Sequence, residues 1–128
     1  MLLKHELPTQ IFKKWLRLPP FEYNDTKSEC LDCKFSELYQ IDTKKFYLGQ
    51  RNKNDQMSGR GALITVSAHG KAYLYEGYWK DGTQTGRGRV LWDDMESYEG
   101  FFLKNKRHGK GVYKALRGVK RTGTWKKD

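Results

Sequence analysis

The 128-residue sequence lacks the long apolar runs of a membrane-spanning protein and the many cysteines of a disulfide-rich one. Hydrophobic residues make up only 37% of the chain, and no apolar stretch approaches the ~20 residues that a spanning helix needs. With 2 cysteines and 3 prolines, a disulfide framework and a collagen-like fibre are excluded. The 14% of aromatic residues argue against a disordered chain. The length suits one domain, or a small domain with an extension.

Glycine and acidic residues are each scarce in one part of the chain. All 13 glycines lie between Gly49 and Gly123, so the first 48 residues contain none. Residues 100–128 hold 10 lysines and arginines against 1 acidic residue, whereas the two charges nearly balance before them. The net charge of +10 is therefore concentrated towards the C-terminus. This distribution predicts an adapter with one basic end.

The only two cysteines, Cys30 and Cys33, have the spacing of half a zinc site. A zinc site needs about four nitrogen or sulfur ligands, and the three histidines are scattered singly through the sequence. We therefore predict two reduced thiols in a loop of an intracellular protein, with no metal and no cofactor. A metal shared with another chain stays open.

The first residues predict a short helix. No secretory signal is evident, because charged residues follow Leu2 and Leu3 at once. Residues 9–18 are amphipathic, and Pro8 and Pro19 can open and end a helix there. Three roles remain open for it: packing on the rest of the protein or on a partner, docking on a membrane surface, and a mitochondrial presequence. Its apolar face is formed by Ile11, Phe12, Trp15 and Leu16.

From residue 47 onwards the sequence repeats itself. One triplet recurs at a spacing of 23 residues, with a fourth copy 28 residues upstream. A Gly-x-Gly marker follows each of the first three copies after nine or ten residues. The triplets are Tyr47-Leu48-Gly49, Tyr75-Glu76-Gly77, Tyr98-Glu99-Gly100 and Arg121-Thr122-Gly123. The markers are Gly59-Arg60-Gly61, Gly86-Arg87-Gly88 and Gly109-Lys110-Gly111.

One repeat predicts one β-hairpin. Residues 75–80 form a strand candidate, Asp81-Gly82 is a hairpin turn signal, and a return strand runs to Trp92. Asn105 takes the place of Gly82 in the next repeat. Glycine inside a strand weakens it unless another group must approach closely. We therefore expect aromatics from a neighbouring hairpin to lie on the glycine backbone, with the units stacked into one antiparallel sheet.

These triplets and markers resemble the MORN (membrane occupation and recognition nexus) repeat, whose units begin Tyr-Glu-Gly-x-Trp and later carry Gly-x-Gly. The resemblance covers residues 46–128, about three and a half repeats, although Met95 replaces a turn glycine and Arg121 a tyrosine. It implies an all-β fold, an elongated single-layer antiparallel sheet of stacked hairpins. Residues 1–45 are expected to form a mostly helical or irregular N-terminal extension.

The sequence offers no support for an enzyme. The Gly-x-Gly pairs lack the third glycine of a dinucleotide-binding loop, and no Gly-Lys precedes a serine or threonine. Asp93, Asp94 and Glu96 fit a solvated turn between hairpins. No catalytic residues are predicted, and the chain has no room for the catalytic domains that accompany some MORN segments.

Two sets of residues are candidates for binding. The aromatics serve as core and as a protein-binding surface, since aromatic side chains are good anchors at interfaces. The basic residues would bind an anion or a lipid headgroup. The protein-binding set is Tyr75, Trp79, Trp92, Tyr98, Phe102, Tyr113 and Trp125. The anion- and lipid-binding set is Lys104, Lys106, Arg107, Lys110, Lys114, Arg117, Lys120 and Arg121.

Two functions follow as expectations. The first is a non-catalytic scaffold that docks protein partners within a larger eukaryotic assembly, cytoskeletal or ciliary by family resemblance. That hypothesis places it in the cytoplasm, the cytoskeleton or the axoneme of a cilium. The second is a peripheral membrane module that binds anionic phospholipid through the basic C-terminal repeats, at a membrane periphery or mitochondrion. Nucleic acid ranks last as a partner because no reading module is present, and a homodimer stays open.

Overall fold

A computed structural model describes residues 9–94, 96–115, 118 and 120–126. Within these residues the chain forms one α-helix, a 3₁₀ turn at Thr26–Ser28 and nine strands. No helix in this part is long and apolar enough to cross a membrane. Pro8, Met95 and Arg117 lie outside it. The helix is α1 (Thr9–Arg17), and the strands are β1 (Lys34–Phe35), β2 (Tyr39–Asp42), β3 (Lys45–Arg51), β4 (Met57–Val66), β5 (Ala72–Lys80), β6 (Thr83–Trp92), β7 (Ser97–Leu103), β8 (Lys106–Lys114) and β9 (Lys120–Trp125).

All nine strands belong to one antiparallel sheet. From β3 to β9 each strand pairs with the next one in sequence, and β1 and β2 both pair with β3. The sheet is open, with β1 and β2 beside β3 at one end and β9 at the other. The predicted antiparallel sheet of successive hairpins is confirmed.

The N-terminal extension, which was expected to be mostly helical or irregular, is not mostly helical. From residue 9 onwards it contains one α-helix of nine residues, and β1 and β2 join the sheet upstream of residue 46. The physical reason is the exposed edge of β3, whose backbone groups need partners. Two short strands supply them, although neither carries the glycine pattern of the repeats. The division into domains at residue 46 stays a prediction.

The predicted hairpin turns are confirmed. Asp81 and Gly82 both have positive φ, 47° and 90°, as do Lys104 and Asn105 with 49° and 70°. Two consecutive residues with positive φ form the turn whose twist matches that of the flanking strands. Glycine and asparagine tolerate this conformation best, which explains why Asn105 can replace Gly82.

A row of glycines crosses the sheet, one from each strand from β3 to β9. Tyr75 lies over this row, and its hydroxyl donates a hydrogen bond to the carbonyl of Tyr78 at 2.8 Å. A Cβ added to Gly88 would lie 2.5 Å from the Tyr75 ring. The predicted close approach therefore exists, but the tyrosine comes from the same hairpin, not a neighbouring one. Trp79 does reach across to a neighbouring hairpin, where its indole donates to the carbonyl of Gly61 at 3.1 Å.

The two sides of the sheet carry separate apolar clusters. One side, which we call the aromatic face, buries a stack of edge-to-face rings over the glycine row. The other, which we call the strap face, is covered in part by α1. There Ile11 is fully buried against Leu74 and Leu91 of the sheet. The buried members on the aromatic face are Tyr47, Leu63, Tyr75, Trp79, Val90, Tyr98 and Phe102.

Residues 18–29 continue from α1 across the strap face, and we call them the strap. Phe21 is buried there, and the Tyr23 ring meets that of Tyr78 edge to face at 5.3 Å. The backbone N–H of Asp25 donates to the Tyr78 hydroxyl at 3.1 Å. The strap therefore has no regular structure over most of its length but is held by specific side chains of the sheet.

A buried ion pair joins α1 and the strap to the sheet. Arg89 donates to Glu76 at 2.7 Å, and the Trp15 indole donates to the same carboxylate oxygen at 3.0 Å. Arg89 also donates to the carbonyl of Pro19 at 2.9 Å. The glutamate of the Tyr-Glu-Gly triplet thus becomes the anchor of the N-terminal segment.

The prediction of two reduced thiols is wrong, because Cys30 and Cys33 form a disulfide. The spacing of two residues permits either state, and sequence alone could not distinguish them. The bond also removes both sulfurs as thiolate ligands for the shared metal that was left open.

Candidate functional site

The structure separates the predicted protein-binding aromatics by depth. Tyr75 and Tyr98 are fully buried, and Trp79 and Phe102 are nearly so. They therefore form the core of the aromatic face. The remaining three are partly exposed and pack on its margin, namely Trp92, Tyr113 and Trp125.

A groove of about 430 Å³ opens on the aromatic face. Of the predicted aromatics it brings together Trp79, Trp92 and Phe102. Tyr113 contacts the Trp92 ring edge to face at 6.2 Å, outside the lining. The full lining is Lys45, Met57, Leu63, Thr65, Tyr73, Trp79, Gly82, Gln84, Val90, Trp92, Phe102, Asn105 and Arg107. The lining combines apolar and polar side chains, and concave sites that combine the two can bind a partner.

Hydrogen bonds between successive hairpins fix one side of the groove. The N–H of Gly82 donates to the carbonyl of Met57 at 2.8 Å. One hairpin further, the Asn105 side chain accepts from the N–H of Gln84 at 2.8 Å. Each turn is therefore tied to the preceding hairpin, which keeps the groove in shape without a ligand.

The groove is positively charged. Its lining includes Lys45 on β3 and Arg107 on β8, the two outermost strands that contribute to it, and no acidic residue from the described part of the chain. The Arg107 guanidinium lies 5.5 Å from the centre of the Tyr98 ring and 6.0 Å from that of Trp92, where cation–π attraction orients it. The site can therefore accept an apolar group flanked by negative charge.

Several groove residues were not predicted. Tyr73 precedes Tyr75 by two positions, and the period of two along a strand would have placed both on one face. Arg107 was assigned to the anion-binding set and lines the groove instead. Lys45, Thr65 and Gln84 offered no signal of their own, because a lone polar residue in a strand is most often solvated.

The predicted anion-binding residues do not form one patch. Lys114 and Lys120 are opposed on β8 and β9 and line a second cavity of about 370 Å³ on the strap face, together with Arg87, Arg89 and Glu99. Lys104 lies in the turn between β7 and β8, and Arg107 lies on the aromatic face. Lys106 and Lys110 are exposed on β8, and Arg121 is exposed on β9. Arg117 lies outside the described residues.

Burial changes the acidity of the tyrosines beneath the groove. Desolvation raises the pKa of Tyr75 well above its usual value, and it raises the pKa values of Tyr47 and Tyr98 in the same direction. The folded state therefore favours the neutral phenol in all three.

These raised pKa values predict alkaline unfolding. An unfolded tyrosine ionises near pH ~10, so stability should be unaffected below that pH and fall as the pH rises further. Each such tyrosine adds a slope of about 1.4 kcal/mol per pH unit until its folded pKa is reached. Urea titrations between pH 8 and 11.5, followed by fluorescence, measure the slope. Tyr98→Phe should make it shallower, and an unchanged slope in that variant would contradict the assignment.

Comparison with known families identifies the hairpins. A family model for the MORN repeat matches residues 75–94 and 98–115. These segments coincide with the β5–β6 and β7–β8 hairpins and their connections, and they contain the glycines over which Tyr75 and Tyr98 lie. The chain is a MORN-repeat protein. No curated protein matches it. The glycine row also places β3, β4 and β9 in the register of the MORN hairpins.

MORN repeats are generally non-catalytic modules that bind proteins or membranes. In this MORN sheet the two faces offer different surfaces for such a role. The aromatic face carries a groove of apolar and polar residues with a cation on each outer strand, and the strap face is partly covered by the chain itself.

Proposed function

We propose that this protein is a non-catalytic scaffold that docks a peptide segment of a protein partner in the groove of the aromatic face. The observation that carries the proposal is the preformed groove of about 430 Å³, whose floor includes Trp79, Trp92 and Phe102. Tryptophan and other aromatics in such pockets dominate binding energies at protein interfaces. The hydrogen-bonded hairpin turns supply a rigid frame, which lowers the entropy cost of docking.

The charges of the groove indicate the chemistry of the segment. Lys45 and Arg107 contribute positive charge from β3 and β8, without an acidic residue in the described lining. We infer that the segment places an apolar side chain over Trp92 and carries carboxylates beside it. Apolar contact would supply most of the affinity, and the charges would orient the segment.

The larger setting is a further part of the proposal. Resemblance to short MORN proteins favours a multi-subunit cytoskeletal or ciliary assembly. Docking of anionic phospholipid is the alternative, and the division of the basic residues between two faces and a turn weighs against it. A flat membrane would meet only one of these surfaces at a time.

The test compares two aromatics on opposite faces, the partly exposed Trp92 and the exposed Phe101. Trp92→Ala should weaken partner binding by about thirtyfold, the loss typical of an interface hot spot of ~2 kcal/mol. Phe101→Ala is the matched control, because Phe101 is 39% exposed but lies beside Arg87 on the strap face. Affinity purification from lysate at low and high salt would identify the partner, and titration of its purified segment would give the affinities.

The outcomes separate the two functions. Loss of binding in Trp92→Ala alone, at any salt concentration, supports the groove. Equal binding by both variants would exclude it. Retention on anionic vesicles that salt abolishes, and that charge reversal at Lys114 and Lys120 abolishes, would favour the membrane alternative. Trp79 is unsuitable for this test, because its burial means that truncation would destabilise the fold.

A further inference from the structure

The Cys30–Cys33 disulfide lies where the strap meets the edge of the sheet. Between the two cysteines, Leu31 is 94% exposed and Asp32 is also exposed. Cys33 is buried, whereas Cys30 is only partly covered. The bond therefore closes a small surface loop that solvent can reach from its Cys30 side.

Both ends of this loop are fixed to the β3–β4 hairpin. On the strap side, Glu29 forms an ion pair with Arg60. On the other side, the Gln50 side chain donates to the carbonyl of Cys33 at 3.3 Å. The same Gln50 side chain accepts from the N–H of Arg60 at 2.8 Å. A conformational change in the loop would therefore act on the strap through Glu29, its last residue.

The position of the disulfide suits thiol–disulfide exchange better than stabilisation of the fold. A cross-link between residues three apart closes the shortest of loops, and the entropy it removes from the unfolded chain grows with loop length. Neither cysteine lies in a strand of the sheet. Solvent reaches the Cys30 side of the bond, and accessible disulfides are the labile and regulatory ones. Thiols in Cys-x-x-Cys pairs are also the more readily ionised.

We propose that Cys30–Cys33 is a redox modification site, whose substrate class is a protein dithiol reductant, and that its reduction loosens the strap. A thiolate of the reductant attacks Sγ of Cys30, the less buried sulfur. The disulfide breaks, and Cys33 leaves as a thiolate and takes up a proton. The second thiol of the reductant, as a thiolate, then attacks the mixed disulfide and releases Cys30, which is protonated in turn. Two electrons and two protons pass to the protein, and the reductant becomes a disulfide.

Reduction allows the Glu29 end and the Cys33 end of the loop to move independently. While the bond is closed, Glu29 and Cys33 are held in one rigid unit on the β3–β4 hairpin. Once it opens, the Glu29 side can leave Arg60 without displacing Gln50 from Cys33. The strap should then uncover the strap face more often, while the groove on the opposite face is unaffected.

The experiment treats the native, full-length protein with buffers of reduced and oxidised dithiothreitol. Alkylation followed by mass spectrometry gives the fraction of free thiols, and hydrogen exchange is measured in the strap and in β7 as an internal control. In the reduced protein, exchange in residues 18–29 should accelerate by on the order of threefold or more, with β7 unchanged. Oxidation should restore the slow exchange.

In the double variant Cys30→Ser/Cys33→Ser, hydrogen exchange in the strap should be as fast as in the reduced protein and should not change with dithiothreitol. The comparison of reduced and oxidised native protein needs no variant, so it holds even if the double variant fails to fold. If hydrogen exchange in the strap were equally fast in both redox states, the proposal would be overturned. It would equally be overturned if the cysteines reacted only after the sheet had unfolded.

Discussion

Replacing Gly77 with alanine is expected to destabilise the fold by about 3 kcal/mol or more. Gly77 lies inside the glycine row, and an added Cβ would lie 2.6 Å from both the Arg87 carbonyl oxygen and the Gly88 Cα. It would also lie 2.6 Å from the Tyr75 hydroxyl, which is held by its hydrogen bond to Tyr78. The two backbone atoms cannot move without separating β5 from β6. Denaturant titration of both proteins measures the difference.

Gly123→Ala is the matched control for this change. Gly123 belongs to the same row, opposite Gly111, but an added Cβ there would meet nothing within 4 Å. We expect a change within about 0.5 kcal/mol. If the two variants had the same unfolding midpoint, the close contacts around Gly77 could not be the reason that this position requires glycine.

Glu76→Ala is expected to cost about 3–5 kcal/mol. The substitution leaves the guanidinium of Arg89 buried without its carboxylate and deprives the Trp15 indole of its acceptor. An uncompensated buried charge accounts for most of this cost. Because both groups anchor the N-terminal segment, α1 should also detach. Thermal unfolding gives the stability, and the fluorescence of Trp15 in a variant lacking other exposed tryptophans reports detachment.

The second Tyr-Glu-Gly triplet supplies the control. Glu99 pairs with Arg87 at 3.1 Å, but its side chain is 47% exposed, against 12% for Glu76. Glu99→Ala should therefore cost no more than about 1 kcal/mol. Replacing Glu76 by leucine together with Arg89 by methionine should recover much of the loss, since apolar pairs often substitute for buried ions. Equal costs for Glu76→Ala and Glu99→Ala would refute the role of burial.

The hairpins could be predicted because their signals are local. Each repeat contains its own triplet, turn residue and glycine marker, with Asp81 and Asn105 in two of the turns. The spacing of the triplets relates each repeat only to the next one. Together they determined the strands, their antiparallel order and the position of the turns. The same locality explains why the tyrosine over the glycines was assigned to the wrong hairpin, since spacing alone does not say which neighbour supplies a ring.

The N-terminal part could not be predicted because tertiary contacts determine its path. Phe21 and Tyr23 follow no period, and only their pockets on the sheet place them. Trp79 and Trp92 illustrate the same limit at the groove, because residue type does not distinguish a buried tryptophan from a partly exposed one. The division of the basic residues between faces could have been foreseen by applying the two-residue period of a strand to β8 and β9.

The unequal cover of the strap face has a consequence for folding cooperativity. In a sheet whose strands contact only their neighbours, stability is a sum of pairwise interfaces, and hairpins can open separately. Helix α1 and the strap contact β3–β6 and tie these strands to one another on the strap face. The β7–β8 hairpin is joined to them through the pairing of β6 with β7 and through the contact of the Tyr75 and Phe102 rings. The groove extends from Lys45 on β3 to Arg107 on β8. A segment bound there would bridge both parts of the sheet, so partner binding should raise the free energy needed to open the β7–β8 hairpin.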